Sequence, residues 1–312
     1  MEKLSSCAVC GSKKQSEVFN GPDEFLQRRG MKIKIRYVLC GGCSLVYANP
    51  RMTDKELSRV YDAEYWKTDS AYEKVGRSWR LKPPFVEDRL RVAAERLHLL
   101  ETRGILRRFK KGSSVLEVGS SAGFLLSTLK RAGWKVQGVE PTPLANFAKS
   151  VGVPTKQAFF DESVLRGRTY DLIGLMHVFE HLKDPVSFLR SLKGSMTKNG
   201  LLWLELPDLA CPRPIDLSHP HLYFYSANSI TNTLAKAGFK VKLLETYNSR
   251  NGAYQVLHVF AEIGKPGKLR KDGAKEMKAI LDDACVLHRR KQGIGSLVKS
   301  YTNVRLASLE NK

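Results

Sequence analysis

Two glutamates and two glycines in the stretch "VLEVGSSAGFLLSTLKRAGWKVQGVEP" have the spacing of a ligand site. An apolar run leads into Gly119, and a helical pattern opens at Gly123. Glycines let a ligand approach the backbone closely, and the first turn of a helix offers N–H groups that the helix itself does not use. Glu140 follows about 20 positions after Gly119, where a carboxylate can bind the ribose hydroxyls of an adenosine. The pattern predicts a site for an adenosine-bearing cofactor.

The same stretch differs from the sequence patterns of nicotinamide-cofactor sites and nucleoside-triphosphate sites. A nicotinamide site uses G-x-G-x-x-G, but Ser121 stands where the second glycine would be, and no Walker lysine follows the turn. Glu117, just before the turn, would repel a pyrophosphate and attract the ammonium group of an amino acid. These features favour S-adenosylmethionine, which carries both an adenosine and an amino acid.

A second reactive group is "HVFEH", residues 177–181. On a helix, this H-x-x-E-H pattern can bind zinc and activate a water, as in inverted zinc metalloproteases. The flanks disfavour that interpretation, because the apolar run "YDLIGLM" leads straight into the motif and Pro185 breaks any helix after it. After the end of a strand, His181 could act as a general base, because histidine is the side chain that gains and loses a proton near neutral pH, and a structural histidine capping the loop is the alternative.

Cysteine spacing indicates a metal site near the N-terminus. The six cysteines form two C-x-x-C pairs and two single residues: Cys7 with Cys10, Cys40 with Cys43, and Cys211 and Cys285. The two pairs bracket a hairpin-like insert, which favours a structural Zn²⁺ ribbon over disulfides in a cytoplasmic chain. Redox-active or incidental pairs are the alternative.

The elements that would position these groups divide the chain into four parts. We expect a zinc ribbon over residues 1–50, a helical connecting or lid segment over 51–111, an α/β domain over 112–262 and a basic helical tail over 263–312. Strand and helix patterns alternate in the third part, which predicts a Rossmann-like, doubly wound, mostly parallel sheet. Its last two strands follow each other without a helix, so one of them should run antiparallel.

The charge balance is strongly basic, with a formal net charge of +21. It favours an anionic partner, such as RNA, a membrane surface or a phosphorylated substrate, and a merely basic solvated surface is the alternative. Residues 265–312 contain twelve Lys or Arg and five Asp or Glu. No apolar run approaches the roughly 20 residues of a membrane span, and "MEKLSSCAVC" lacks a signal-peptide core. We therefore expect a cytoplasmic protein that could also lie peripherally on the inner membrane face.

Six segments together resemble class I S-adenosylmethionine-dependent methyltransferases. In chain order they are "VLEVGSSAGFLL", "GVEP", "YDLIGLMHVFEHLKDP", "LLWLELPD", "PHLYFYS" and "LAKAGFKV", over roughly residues 112–246. The resemblance implies a seven-stranded sheet whose last strand is antiparallel. With its four-cysteine ribbon and the aromatic segment "YDAEYW", the chain is also similar to bacterial methyltransferases of sugar and surface-polysaccharide biosynthesis. That similarity implies a small-molecule or glycan substrate: a sugar nucleotide, a glycan or a related metabolite.

The resemblance also assigns site residues. It places the cofactor against Glu117, Gly119, Ser120, Gly123, Glu140, Pro141, Phe159, Met176 and His177, with Phe159 beside the adenine. His181 and His221 are the main candidate bases, and His219 and Tyr223 are further candidates for substrate contacts or the base. Similar sugar C-methyltransferases carry Tyr-His-Glu-His where this chain reads "SHPH" at 218–221. The missing tyrosine and glutamate put C-methylation in doubt and leave O- or N-methylation open.

Two other functions fit parts of the sequence. An rRNA or tRNA methyltransferase would explain the basic charge, although the Asn/Asp-Pro-Pro-Tyr tetrad common in such enzymes is absent after the fourth strand, where "HVFEH" stands. A non-catalytic zinc-ribbon scaffold with a degenerate methyltransferase fold is the other alternative, and the intact cofactor motifs argue against it.

Overall fold

A computed structural model of the chain describes residues 1–23, 26, 32–60, 72–75, 78–161, 167–210, 221–248 and 255–265. Several predicted features lie outside these ranges: the aromatic segment at 61–66, Cys211, His219, Cys285 and the basic tail from 266 onward.

Thirteen strands and six α-helices occur in the described ranges. The strands are β1 (Gln15–Pro22), β2 (Lys34–Cys40), β3 (Val46–Ala48), β4 (Tyr72–Val75), β5 (Ser78–Leu81), β6 (Ser114–Val118), β7 (Lys135–Val139), β8 (Thr155–Lys156), β9 (Tyr170–Met176), β10 (Met196–Pro207), β11 (Tyr223–Phe224), β12 (Phe239–Asn248) and β13 (Gln255–Ile263). The helices are α1 (Asp54–Val60), α2 (Pro83–Thr102), α3 (Phe124–Arg131), α4 (Leu144–Ser150), α5 (Pro185–Leu192) and α6 (Ala227–Ala237).

The large sheet has seven strands in the order β12-β13-β10-β9-β6-β7-β8. The strands from β10 through β8 pair in parallel, whereas β13 runs antiparallel to both of its neighbours, β10 and β12. The predicted seven-stranded Rossmann-like sheet with an antiparallel last strand is therefore confirmed. Since β6 lies in the middle with crossovers on either side, the carboxyl ends of β6, β7 and β9 meet at one edge, where ligands bind in such folds.

Apolar side chains cover both faces of this sheet because alternate strand residues point to opposite sides. On one face, Val115, Leu172 and Trp203 pack with apolar side chains of α2 and α3. On the other, Leu116 and Ile173 pack with side chains of α5 and α6, and this second cluster continues into the N-terminal region. The doubly wound arrangement follows from strands that are apolar at nearly every position.

Local signals set the ends of the helices on the second face. Pro185 opens α5, and the Asp184 side chain accepts a hydrogen bond of 3.0 Å from the backbone N–H of Ser187. Ser226 caps α6, and Gly238 ends it with φ +82°. These are the capping residues that such helix ends favour.

A second sheet joins the N-terminal region to the α/β domain, with strand order β1-β2-β3-β11. β1 and β2 form the hairpin predicted between the cysteine pairs. β11, however, comes from the α/β domain and pairs with β3, Tyr223 opposite Tyr47. The segment predicted to be helical, 51–111, contains α1 and α2 and also the β4–β5 hairpin.

In the described part of the chain, no helix combines the length and the apolar character needed to cross a bilayer.

Candidate functional site

The turn after β6 must be built from glycine. Gly119 has φ +74°, and a Cβ atom there would lie 2.3 Å from Cγ2 of Val178. Gly123 has φ +78° at the start of α3. Both positions lie in the left-handed region that glycine adopts at no steric cost. The turn therefore packs directly on the loop that follows β9, which brings the two predicted motifs together.

Glu117 is a buried carboxylate beside this turn. Its side chain lies in β6, the residue is 3% exposed, and Oε2 has no hydrogen-bond partner within the described residues. Burial raises the pKa of Glu117 to about 8, and the nearby Glu205 and Glu140 carboxylates add to the rise while Arg96 opposes it. A buried carboxylate with an unused oxygen is costly, so the position is suited to a ligand cation.

Glu140 closes the other side of the turn. Its Oε2 accepts a hydrogen bond of 2.8 Å from the backbone N–H of Ser121, and its Oε1 accepts one of 2.9 Å from that of Thr142. Burial raises the pKa of Glu140, and these hydrogen bonds oppose the rise. A carboxylate oxygen has two lone pairs, so each oxygen can still accept a bond from a ligand hydroxyl. Ser120 is buried beside the turn, its hydroxyl has no partner among the described residues, and Pro141 directly follows Glu140.

Met176 ends β9 at the same edge, and His177 directly follows it. Met176 is buried, whereas His177 has φ +55° and a side chain that is 32% exposed. Desolvation lowers the pKa of His177, but Glu180 and Glu205 outweigh it and raise the pKa to about 9. Nε2 of His177 lies 3.1 Å from Oε1 of Glu205. These two carboxylates therefore favour the protonated form of His177.

Glu205 of β10 links this histidine to α2. The Arg96 guanidinium binds it through two hydrogen bonds of 2.6 and 2.8 Å. These ionic contacts hold the pKa of Glu205 well below its usual range even though burial would raise it. The sequence patterns did not identify Arg96 or Glu205, because each lies in an otherwise ordinary helix or strand and only tertiary packing joins them.

His181 and His221 lie side by side beyond the carboxyl end of β9. Their ring centroids are 4.7 Å apart. His181 ends a 3₁₀ turn, Phe179–His181, which confirms that "HVFEH" follows a strand and does not lie within a long helix. The backbone N–H of Leu222 donates to the Glu180 carbonyl at 2.9 Å, which ties the two histidine segments together.

Glu180 lies beside these histidines, with a carboxylate oxygen within 4.8 Å of a ring nitrogen of each, and was not among the predicted site residues. It is 2% exposed, and neither carboxylate oxygen has a hydrogen-bond partner within the described ranges. Nδ1 of His177 approaches Oε1 at 3.6 Å, a contact of charges that is too long for a hydrogen bond. Glu180 belongs to the pattern "HVFEH", but nothing in that pattern indicates that its carboxylate is buried.

The N-terminal sheet supports the histidine pair from the side. The Tyr37 hydroxyl donates to the His221 carbonyl at 2.9 Å. Arg51 donates to the Tyr223 hydroxyl at 3.1 Å, and Tyr223 donates in turn to the Lys183 carbonyl at 2.9 Å. Tyr223, predicted as a possible substrate contact, is 1% exposed and uses its hydroxyl in this structural network.

The four N-terminal cysteines converge as the spacing predicts. Sγ of Cys7 lies 3.6 Å from Sγ of Cys43, and Sγ of Cys10 lies 3.4 Å from Sγ of Cys40. All four sulfur atoms lie within 4.8 Å of one another, and none forms a disulfide. The turn that carries Cys40 is fixed by the backbone N–H of Gly42, which donates to Sγ of Cys40 at 3.3 Å.

Phe159 follows β8 and is 69% exposed. Its neighbour Phe160 instead packs on Phe188 of α5 with ring centroids 5.2 Å apart. The assignment of Phe159 to an adenine contact stays a prediction.

Part of this sequence is similar to known methyltransferases. The methyltransferase domain family matches residues 85–244, just over half of the chain. The C-methyltransferase NovU of Streptomyces niveus is 28% identical over 155 residues, which cover 46% of this chain and 37% of that protein. A ubiquinone biosynthesis O-methyltransferase of Methylobacterium sp. (strain 4-46) is 29% identical over 99 residues, 30% of this chain and 40% of that protein.

A third similar protein has a name that refers to tRNA. The tRNA U34 carboxymethyltransferase of Campylobacter jejuni subsp. jejuni serotype O:6 is 26% identical over 189 residues, 54% of this chain and 64% of that protein. The chain thus covers less than two thirds of the length of each of these three relatives.

Proposed function

Because the chain belongs to the methyltransferase domain family and carries a class I S-adenosylmethionine-dependent methyltransferase domain, we propose that it transfers a methyl group to a hydroxyl of a sugar nucleotide, glycan or related small metabolite. The observation that carries the proposal is the buried Glu117 carboxylate, with an unused oxygen beside the Gly119 turn. It lies at the same sheet edge as Glu140 and the histidine pair.

The residues at this edge fit S-adenosylmethionine. When bound, this cofactor supplies a methyl group on a sulfonium, which is electrophilic. Glu117 would hold its ammonium group, because a buried carboxylate gains most from a cation placed against its free oxygen. Gly119 holds the left-handed turn packed against Val178, and Glu140 would accept the ribose hydroxyls. Ser120, Gly123, Pro141, Phe159, Met176 and His177 complete the proposed cofactor set.

His181 and His221 would activate the acceptor. His181 lies on the loop after β9 that packs on the Gly119 turn, and the His221 ring lies beside it, so an acceptor against the pair would lie next to the cofactor's reactive end. An imidazole there can take the proton of a hydroxyl as its oxygen forms a bond to carbon. Most of the acceleration would come from alignment, since methyl transfer is an in-line displacement.

We propose a structural Zn²⁺ ion for the four-cysteine cluster. Tetrahedral zinc with Zn–S bonds of about 2.3 Å places sulfur atoms about 3.8 Å apart, close to the 3.4 and 3.6 Å separations here. Four thiolates leave no open position, so the ion would stabilise the N-terminal sheet and, through Tyr37, the position of His221.

Cofactor binding tests the first part of this function. Glu140→Ala removes the proposed ribose contact, and Glu140→Gln keeps the side-chain volume. We expect both to weaken S-adenosylmethionine binding about 10- to 100-fold by calorimetry, because hydrogen bonds to a charged group contribute about 1.5–3 kcal/mol. Glu87→Ala, at an exposed position of α2, is the matched control. Unchanged affinity in both Glu140 variants would contradict the proposal.

RNA is a second candidate substrate because of the net charge of +21 and the twelve Lys or Arg among residues 265–312. Phosphate contacts release counterions, so RNA binding would weaken steeply as salt rises. A steep salt slope for tRNA or rRNA binding, with labelled methyl incorporated into that RNA, would favour this candidate over the small metabolite.

A further inference from the structure

The side chains of Glu180, His181 and His221, here called the mouth triad, converge beyond the carboxyl end of β9. Each offers one ligating atom, and the three atoms lie within 4.8 Å of one another. We propose that the mouth triad binds a divalent transition-metal ion that coordinates the acceptor hydroxyl. This inference rests on the proposed methyl transfer and adds a metal centre separate from the four-cysteine cluster.

Two chain segments are fixed relative to each other at this point. The 3₁₀ turn Phe179–His181 carries the ligands Glu180 and His181. The third ligand, His221, lies on a second segment just before Leu222. A backbone hydrogen bond from Leu222 N–H to the Glu180 carbonyl joins the segments, and Tyr37 holds the His221 carbonyl. Because ligands on a fixed backbone lose little freedom on binding an ion, this support favours a real site over a chance meeting of side chains.

The burial of Glu180 is the independent observation that points to a cation. The residue is 2% exposed, and both of its oxygens have no hydrogen-bond partner within the described residues. A carboxylate in that environment is costly unless a positive charge lies against it. His177 supplies a charge at 3.6 Å from Oε1, but its other nitrogen lies on Glu205 at 3.1 Å. The second carboxylate oxygen is then left to a ligand.

The donor set restricts the ion. Two imidazole nitrogens and one carboxylate oxygen suit Zn²⁺, Fe²⁺, Co²⁺ or Ni²⁺, and they do not suit Ca²⁺, which takes six to eight oxygen ligands. Three protein ligands leave positions for water or substrate, as catalytic sites do, whereas four cysteines close a structural site. His181 and His221 are both partly exposed, so the open positions would face solvent.

An ion in this place would change how the acceptor is activated. A hydroxyl bound to a divalent ion loses its proton more readily, and here that proton would pass to solvent. A lone pair of the resulting oxygen forms the bond to the methyl carbon. The carbon–sulfur bond breaks with its electrons left on sulfur, which turns the sulfonium into a neutral thioether. The two histidines would then act as ligands, and the ion would do the work otherwise given to a base.

Cobalt binding to the full chain tests the inference without relying on activity. The protein is purified with zinc in the four-cysteine cluster, freed of weakly bound metal by chelating resin and titrated with Co²⁺. We expect a further ion whose visible spectrum lacks thiolate-to-cobalt charge transfer, because the mouth triad contains no sulfur. Glu180→Gln and His221→Ala should each weaken this binding by more than the roughly 10- to 100-fold that loss of an outer-shell partner costs.

The controls separate the two proposals. His98→Ala, at an exposed histidine of α2, should bind cobalt as the unmodified protein does. Circular dichroism and S-adenosylmethionine binding, measured on each variant, show that the fold and cofactor site persist. Cofactor binding with no further cobalt, or equal cobalt binding in Glu180→Gln and His221→Ala, would overturn the metal site alone. Cobalt binding without methyl transfer to any acceptor would instead count against the proposed function.

Discussion

Replacing Glu117 with Gln should make the cofactor-free protein more stable while it weakens cofactor binding. The folded-state pKa of Glu117 is raised from 4.5 to about 8, chiefly by burial. Below pH 4.5 the carboxyl is protonated in both states, so it contributes no pH dependence there. As the pH rises from 4.5 towards 8, the unfolded chain releases the proton while the folded chain keeps it, and stability falls. Above about pH 8 the full cost is present.

The size of the effect follows from the pKa change. At about 1.4 kcal/mol for each pKa unit, the cost is about 1 kcal/mol at pH 5.5 and at most about 5 kcal/mol at pH 8.5. Glutamine carries no charge and fills nearly the same volume, so it removes this cost. The same substitution removes the proposed partner of the cofactor's ammonium group, which should weaken binding by about 10- to 100-fold.

Urea unfolding at pH 5.5 and pH 8.5 measures the first effect, and calorimetry with S-adenosylmethionine measures the second. Glu87→Gln, at an exposed position of α2, should change neither. The reasoning would be refuted if Glu117→Gln gave the same stability difference from the unmodified protein at both pH values. Stronger or unchanged cofactor binding would refute the assigned role of Glu117.

Two further substitutions test the turn and the support of His221. Gly119→Ala should reduce cofactor binding by more than about 100-fold. It should also lower the free energy of unfolding by more than the roughly 1–2 kcal/mol that an alanine costs in the left-handed region. The extra loss arises because the new Cβ would lie 2.3 Å from Cγ2 of Val178. Gly112 also has a positive φ, but a Cβ added there would meet no atom within 4 Å. Gly112→Ala should therefore lose only the roughly 1–2 kcal/mol of the left-handed backbone in urea unfolding. Equal losses of unfolding free energy in the two variants would contradict the steric argument. Tyr37→Phe removes the hydrogen bond to the His221 carbonyl, so kcat should fall about 3- to 10-fold, as loss of about 1 kcal/mol implies, with zinc content and cofactor affinity unchanged. Tyr247→Phe, at a tyrosine that is 48% exposed, is the control. An unaltered kcat in Tyr37→Phe would show that the N-terminal sheet does not position the site.

Local patterns predicted the sheet well because they depend on neighbouring residues. The apolar run at β9, Pro185 at the start of α5 and the adjacent last strands each carry their own signal. The convergence of the four cysteines was also predictable, since C-x-x-C spacing directs both thiols of a pair to one side of a turn.

Contacts between distant segments were not predictable in this way. No pattern in the sequence shows that β11 leaves the α/β domain to pair with β3, or that Tyr37 donates to the carbonyl of His221. The Arg96–Glu205 pair and the burial of Glu180 likewise appear only when helix, strand and loop are packed. Residues that look like a surface arginine or a loop acid acquire their chemistry from that packing.

Transfer of a labelled methyl group tests the central claim most directly. The purified protein and S-adenosylmethionine with a labelled methyl are added to a lysate from cells lacking this protein, which is then divided into RNA, protein, polysaccharide and small molecules. We expect label in the small-molecule or polysaccharide fraction, lost with His221→Ala and kept with His98→Ala. Label confined to RNA, or no label although the cofactor binds, would contradict the proposed small-metabolite methyltransferase.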